Sequence, residues 1–230
     1  MKMLGIIGGM GPNSTAEFYL KLNQLALQHG LASRPYCTII NLPLNLKIEE
    51  SVLLGEASID QYLPLLEEAL QKLEITGCDY IAIPCNTVHV LMDTLVGYTK
   101  IPIVNIIDET VSKLCKEQVS EVLILGTTQT INSNLYQDKL RKAEIDFKIP
   151  SEPGQTELNQ IIDELVNFKA DAGLGDKFNG IVESSGSSNV ILGCTDLHAV
   201  KDTDEMVRYF DSMEILAEAC VELITKDNEN

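Results

Sequence analysis

The chain alternates short apolar runs with longer stretches of helical periodicity. The runs Leu4–Ile7, Cys37–Leu42, Tyr80–Pro84, Val122–Leu125, Asp146–Ile149 and Val190–Leu192 are mostly apolar and β-branched. That is the pattern of parallel strands covered on both faces. Between them lie stripes at helical spacing: Tyr62, Leu65, Leu66, Ala69, Leu70 and Leu73; then Leu158, Ile161, Ile162, Leu165 and Val166; then Ile215, Leu216, Ala219, Cys220 and Leu223. Strands alternating with helices predict an α/β fold with parallel sheets.

A second pattern overlies the first. Leu4-Gly-Ile-Ile-Gly-Gly-Met-Gly recurs in outline as Val122-Leu-Ile-Leu-Gly-Thr-Thr-Gln, and Ile81-Ala-Ile-Pro-Cys-Asn-Thr-Val-His as Val190-Ile-Leu-Gly-Cys-Thr-Asp-Leu-His. Such a repeat predicts two pseudo-symmetric α/β lobes, each with a parallel sheet flanked by helices and the active site in the cleft between them. The expected lobes are 1–98, joined by a C-terminal helix at about 213–225, and 99–212. The polar tail Lys226–Asn230 is expected to fray.

Charge narrows the partners. With 17 Lys plus Arg against 34 Asp plus Glu, the formal net charge is −17. So acidic a chain has no field to attract nucleic acid or an anionic membrane. A hydrophobic fraction of 45% with 22% charged residues is globular composition rather than disorder. No segment approaches the roughly 18–20 apolar residues of a membrane span. The first apolar run breaks into glycines, so it reads as a strand and not a signal peptide. A cytoplasmic protein with reduced thiols is expected. None of the six cysteines forms a C-x-x-C pair, so no metal site is expected.

Two cysteines stand apart. Cys85 and Cys194 each follow a predicted strand and open a turn, where backbone N–H groups and a helix dipole favour a thiolate. Each is followed four residues later by a histidine, His89 and His198, at a spacing that lets the imidazole share the thiol's face. Two facing lobes would bring the thiols to opposite walls of one cleft. Racemisation of an α-carbon needs that arrangement: a base on one face, an acid on the other, with roles exchanged in reverse. A disulfide between them is the rival use.

These residues resemble the cofactor-independent aspartate/glutamate racemase superfamily, and within it the aspartate racemase branch. The resemblance is carried by Gly8-Gly9-Met10-Gly11-Pro12, Pro84-Cys85-Asn86-Thr87-Val88-His89, Ile101-Pro102-Ile103-Val104-Asn105, Gly126-Thr127-Thr128-Gln129-Thr130 and Gly193-Cys194-Thr195. It implies a homodimer that uses neither pyridoxal phosphate nor any other cofactor, with Cys85 and Cys194 as the racemising pair. It also implies that Met10, Gly11, Asn86, Thr87, Thr127, Thr128, Thr130 and Thr195 hold the substrate carboxylate. Lys169 stands where the family has a lysine for the distal carboxylate. The Ser14-x-x-Glu17 pattern suggests a capping box just after the first turn.

The sequence also departs from the family. The segment Asn41-Leu-Pro-Leu-Asn-Leu-Lys-Ile48 carries no arginine where aspartate racemases commonly have one. Lys47 lies near that place, but a lysine is a point charge without the bidentate fork. Asp196 replaces the usual glutamate after Cys-Thr, and is expected to orient a nearby histidine or the substrate ammonium. Gly5-x-x-Gly8-Gly9-x-Gly11 does not fit the dinucleotide fingerprint, and no acidic residue follows at Leu25–Gly30. The function expected is racemisation of aspartate or glutamate. The alternatives are a broad-spectrum racemase, a decarboxylase or isomerase of a small dicarboxylic acid, or a non-catalytic amino-acid-binding module.

Overall fold

A computed structural model describes residues 2–169, 171, 173–201 and 206–225; the tail 226–230, expected to fray, lies outside them. Strands β1 (Leu4–Gly8), β2 (Cys37–Asn41), β3 (Tyr80–Ala82) and β4 (Ile103–Val104) form one sheet in the order β2-β1-β3-β4. Strands β5 (Glu121–Leu125), β6 (Asp146–Lys148), β7 (Asn189–Leu192) and β8 (Arg208–Asp211) form a second in the order β6-β5-β7-β8. Every pairing is parallel. The two orders match strand for strand, so the sequence repeat is a repeat of fold.

Six of the eight described strands are legible as apolar runs. β4 is two residues long, too short to show a period, and β8 reads Arg-Tyr-Phe-Asp, charged at both ends. β4 pairs with β3 through Ile81 opposite Ile103 and Ala82 opposite Val104. The first sheet therefore reaches past the boundary expected after residue 98.

The sheets are flanked by α1 (Pro12–Gln28), α2 (Leu46–Leu53), α3 (Leu63–Thr76), α4 (Met92–Tyr98), α5 (Ile106–Lys116), α6 (Thr128–Asn132), α7 (Gln137–Lys142), α8 (Glu152–Val166), α9 (Leu174–Ser185) and α10 (Ser212–Thr225). The three predicted stripes fall on α3, α8 and α10, and their apolar residues are largely buried there. Each lobe has a core of its own on one face of its sheet. A third core is shared. It joins Leu4, Ile6, Phe18 and Leu22 of the first lobe to Val122, Ile124 and Ile191 of the second, with Leu216, Cys220 and Val221 of α10. α10 packs on both α1 and α5, so burial of its apolar stripe holds the lobes to each other. With the lobes fixed this way, the carboxyl ends of β1, β3, β5 and β7 converge on one place.

Candidate active site between the lobes

The strand ends meet in tight turns. Gly9 and Gly11 have φ of +88° and +87°, a conformation that disfavours side chains. Thr15 closes this first turn: its hydroxyl accepts from Gly9 N–H at 3.0 Å and donates to Gly11 C=O at 3.1 Å. α1 starts at Pro12 with Gly11 as a cap lacking any side-chain bond. The expected capping box at Ser14 is therefore absent, because Ser14 already lies inside the helix, buried, with its hydroxyl and amide directed at Asp196.

Cys85 lies beyond β3 and Cys194 beyond β7, each leading into a 3₁₀ helix, Thr87–Leu91 and Thr195–Val200. All six cysteines are free in this structure. Both thiols line one pocket of about 20 Å³, together with Met10 and Gly11 from the first turn and with Thr87 and Thr127. That is room for a water and not for an amino acid. The thiols are 9% and 8% exposed. Burial pushes Cys85 up to about 12, and raises Cys194 well above its ordinary value. The amides of Val88 and Thr87, and those of Asp196 and Leu197, pull the other way, but the loss of water wins. Burial therefore favours the thiol over the thiolate at both positions, although the turns supply the amides expected from the sequence.

The histidines do not stand beside the sulfurs. His89 Nδ1 donates to Cys85 C=O at 2.8 Å, and its Nε2 accepts the Ile106 N–H at 3.4 Å. Burial drops its pKa to about 4, so the ring is neutral and fixes the backbone under the thiol. The turn after Cys85 is 3₁₀, which carries residue i+4 off the face an α-helix would give it. His198 Nδ1 is 2.6 Å from Asp211, in a cluster with Glu214 that the Lys201 ammonium fills at 2.9 and 3.3 Å.

The hydroxyls and amides bridge the lobes. Thr87, Thr127 and Thr130 lie within 3.0–3.1 Å of one another through their Oγ1 atoms. Of these, Thr87 and Thr127 line the pocket, whereas Thr130 sits behind them. Thr195 donates to Pro84 C=O at 3.3 Å. Asn86 donates to Ser212 at 2.9 Å and accepts from Tyr136 at 2.6 Å. Both also line the pocket. Thr128 turns away, accepting from Asn159 at 2.8 Å.

The charged lining is carboxylate. Asp196 is 6% exposed, and burial raises it to about 6; its Oδ1 has no partner. It lies so close to Gly11 that a Cβ there would come within 2.6 Å of its Oδ2. Glu49 of α2, also 6% exposed, is raised to about 7 by burial and by Asp196, against the Gly11 N–H that faces it. Glu49, Leu53, Tyr62 and Val166 line the pocket, and none was singled out from the sequence. Val166 and Tyr62 carried a trace as members of apolar stripes. Glu49 and Leu53 carried none, since only packing brings α2 over the strand ends.

Neither expected lysine reaches the site. α8 ends at Val166, and Phe168 turns left-handed with φ of +56°, so the apolar stripe does not continue to Lys169. Its side chain is 64% exposed, with Asp163 at 3.8 Å. Lys47 is exposed in the first turn of α2 and lines neither the pocket nor the neighbouring cleft.

Two repeated parallel sheets, each delivering one thiol from an equivalent strand end to a shared pocket, define a two-lobed α/β protein with a matched pair of cysteines. The sequence model of the Asp/Glu/Hydantoin racemase family matches residues 7–220, and the chain belongs to that family. The broad specificity amino-acid racemase RacX of Bacillus subtilis (strain 168) is 29% identical over 226 residues, 95% of this chain and 96% of its own. Among solved structures, an aspartate racemase homologue from Pyrococcus horikoshii OT3 is 29% identical with a TM-score of 0.79, over 98% of this chain and 100% of its own. The aspartate racemase of Picrophilus torridus is 25% identical with a TM-score of 0.83, over 98% and 95%. The two-lobe fold and the racemase class expected from the sequence are borne out.

Proposed function

We propose that the protein racemises a free amino acid through Cys85 and Cys194, without a cofactor. The observation that carries this reading is the shared pocket: equivalent positions of two repeated lobes supply one thiol each to the same space. An α-carbon held there has one sulfur on either face. One sulfur, as thiolate, takes the α-proton; the other, as thiol, returns a proton to the opposite face. The thiolate has then changed sides, and the reverse reaction runs from there.

One of the two thiols must first give its proton to solvent. Entry of the substrate ammonium beside Asp196 supplies the missing positive charge, which lowers the cost of a thiolate nearby. Thr87 and Thr127, with the backbone amides of the turns, are the donors for the α-carboxylate. Met10, Asn86 and Thr195 shape the same wall. The cytoplasmic setting and homodimer belong to the same proposal; no described helix is long and apolar enough to cross a membrane.

The test is loss of the α-proton signal in D₂O, followed by NMR across a panel of L- and D-amino acids. Exchange is expected, and Cys85→Ser and Cys194→Ser are each expected to lower racemisation by about a thousandfold. Wild-type rates in both variants would refute the two-thiol reading. Ligand-induced stabilisation with no exchange would make the protein a binding module instead. The relatives range from an aspartate racemase to a broad specificity enzyme, so the side chain accepted must be settled by the pocket.

A further inference from the structure

Every charged residue on the wall of the thiol pocket is acidic. Glu49 and Asp196 line it, and among the described residues no lysine, arginine or histidine does. Two buried polar atoms there lack any partner, Asp196 Oδ1 and the hydroxyl of Tyr62, which is 3% exposed. At Leu53 and Thr127 the pocket adjoins a cleft of about 390 Å³. Its charged lining is acidic too, Glu50, Asp163 and Glu164. Lys169 lies beside Asp163 but lines neither space.

An amino acid brings one ammonium and one carboxylate, which balance. An acidic side chain would add a third negative charge to a site that already holds two carboxyls and offers no cation. A cationic side chain would neutralise one of them.

We propose that the protein acts on amino acids whose side chain ends in an amine or guanidinium, and that Glu49 selects them while Asp196 holds the α-ammonium. The inference rests on the racemase reading above, and departs from the acidic substrate expected from the sequence. The side chain passes Leu53 into the acidic cleft, where Glu50 and Glu164 extend the same preference.

The experiment compares kcat/KM for α-proton exchange of L-lysine, L-ornithine, L-aspartate and L-glutamate in the wild type, Glu49→Gln and Glu49→Asp. The cationic substrates are expected to exceed the acidic ones by about a hundredfold in the wild type. Glu49→Gln is expected to cut that ratio by about tenfold or more, and Glu49→Asp to restore most of it. A cooperative thermal unfolding transition shows that Glu49→Gln is folded, and L-lysine should raise its midpoint less than that of the wild type. Faster exchange of aspartate or glutamate, or a ratio unmoved by Glu49→Gln, overturns the inference. If that acidic exchange is lost in Cys85→Ser, the racemase reading survives alone. If nothing in the panel exchanges, the racemase reading falls and takes this inference with it.

Discussion

Replacing Glu49 by glutamine should make the unliganded protein more stable at pH 8, and change little at pH 5. The carboxyl is 6% exposed, and burial with Asp196 nearby lifts its pKa from 4.5 to about 7. A carboxyl whose folded pKa is raised binds its proton more tightly in the folded state. Its penalty is therefore absent below the unfolded value, grows as pH rises from 4.5 to about 7, and is complete above. A shift of this size corresponds to at most about 3 kcal/mol, and solvent reaching the carboxyl reduces that to roughly 1–3 kcal/mol. Glutamine has nearly the same shape, keeps an oxygen for the Gly11 N–H, and carries no charge. For a chain of this length each kcal/mol is worth roughly 2–4 °C. The variant should thus melt several degrees above wild type at pH 8. The assay is calorimetry, or urea denaturation under reducing conditions, of both proteins at pH 5 and pH 8. A stability difference that is the same at both pH values, or a variant less stable at pH 8, would show that Glu49 is not held as an unneutralised buried acid.

Other outcomes follow from the same geometry. Gly11→Ala should destabilise by about 2–3 kcal/mol in urea denaturation and impair exchange, because φ is +87° and the new methyl would meet Asp196 at 2.6 Å. His89→Ala should cost about 3–5 kcal/mol, since it strands the Cys85 carbonyl and the Ile106 amide and leaves a cavity; a cost below about 1 kcal/mol would contradict the ring's bracing role. Alkylation of Cys85 by iodoacetamide, mapped by mass spectrometry, should rise about tenfold per pH unit from pH 7 to 10 without a plateau, because only the thiolate reacts and its pKa is about 12. A plateau below pH 9 would mean a resting thiolate. Cys115, exposed on α5, should be alkylated first.

The local chemistry of each half could be read from the chain. Apolar runs such as Val122–Leu125 can only be covered strands, and the stripes of α3, α8 and α10 have one face to bury. The recurrence of Gly-Gly-Met-Gly and Pro-Cys-Asn-Thr in weaker form was enough to find two lobes and single out Cys85 and Cys194. These are short-range facts of period, turn chemistry and repetition. What the sequence could not carry is whatever depends on who lies opposite. His89 and His198 sit four residues after their cysteines, yet a 3₁₀ turn sends the first to the backbone and Asp211 claims the second. Lys169 stands where the resemblance implies a substrate lysine, but α8 ends at Val166 and Phe168 turns left-handed before it. The ionisation of the thiols also escaped the sequence, because turn amides argue for a thiolate while only the closed pocket shows how much water has been removed. Glu49 is the sharpest case. In the chain it is one acid among 34; once α2 packs over the strand ends it becomes a buried, unneutralised charge beside two thiols. Periodicity and repetition act within a segment and so are written in the sequence, whereas desolvation and charge pairing act between segments and exist only after the lobes have closed.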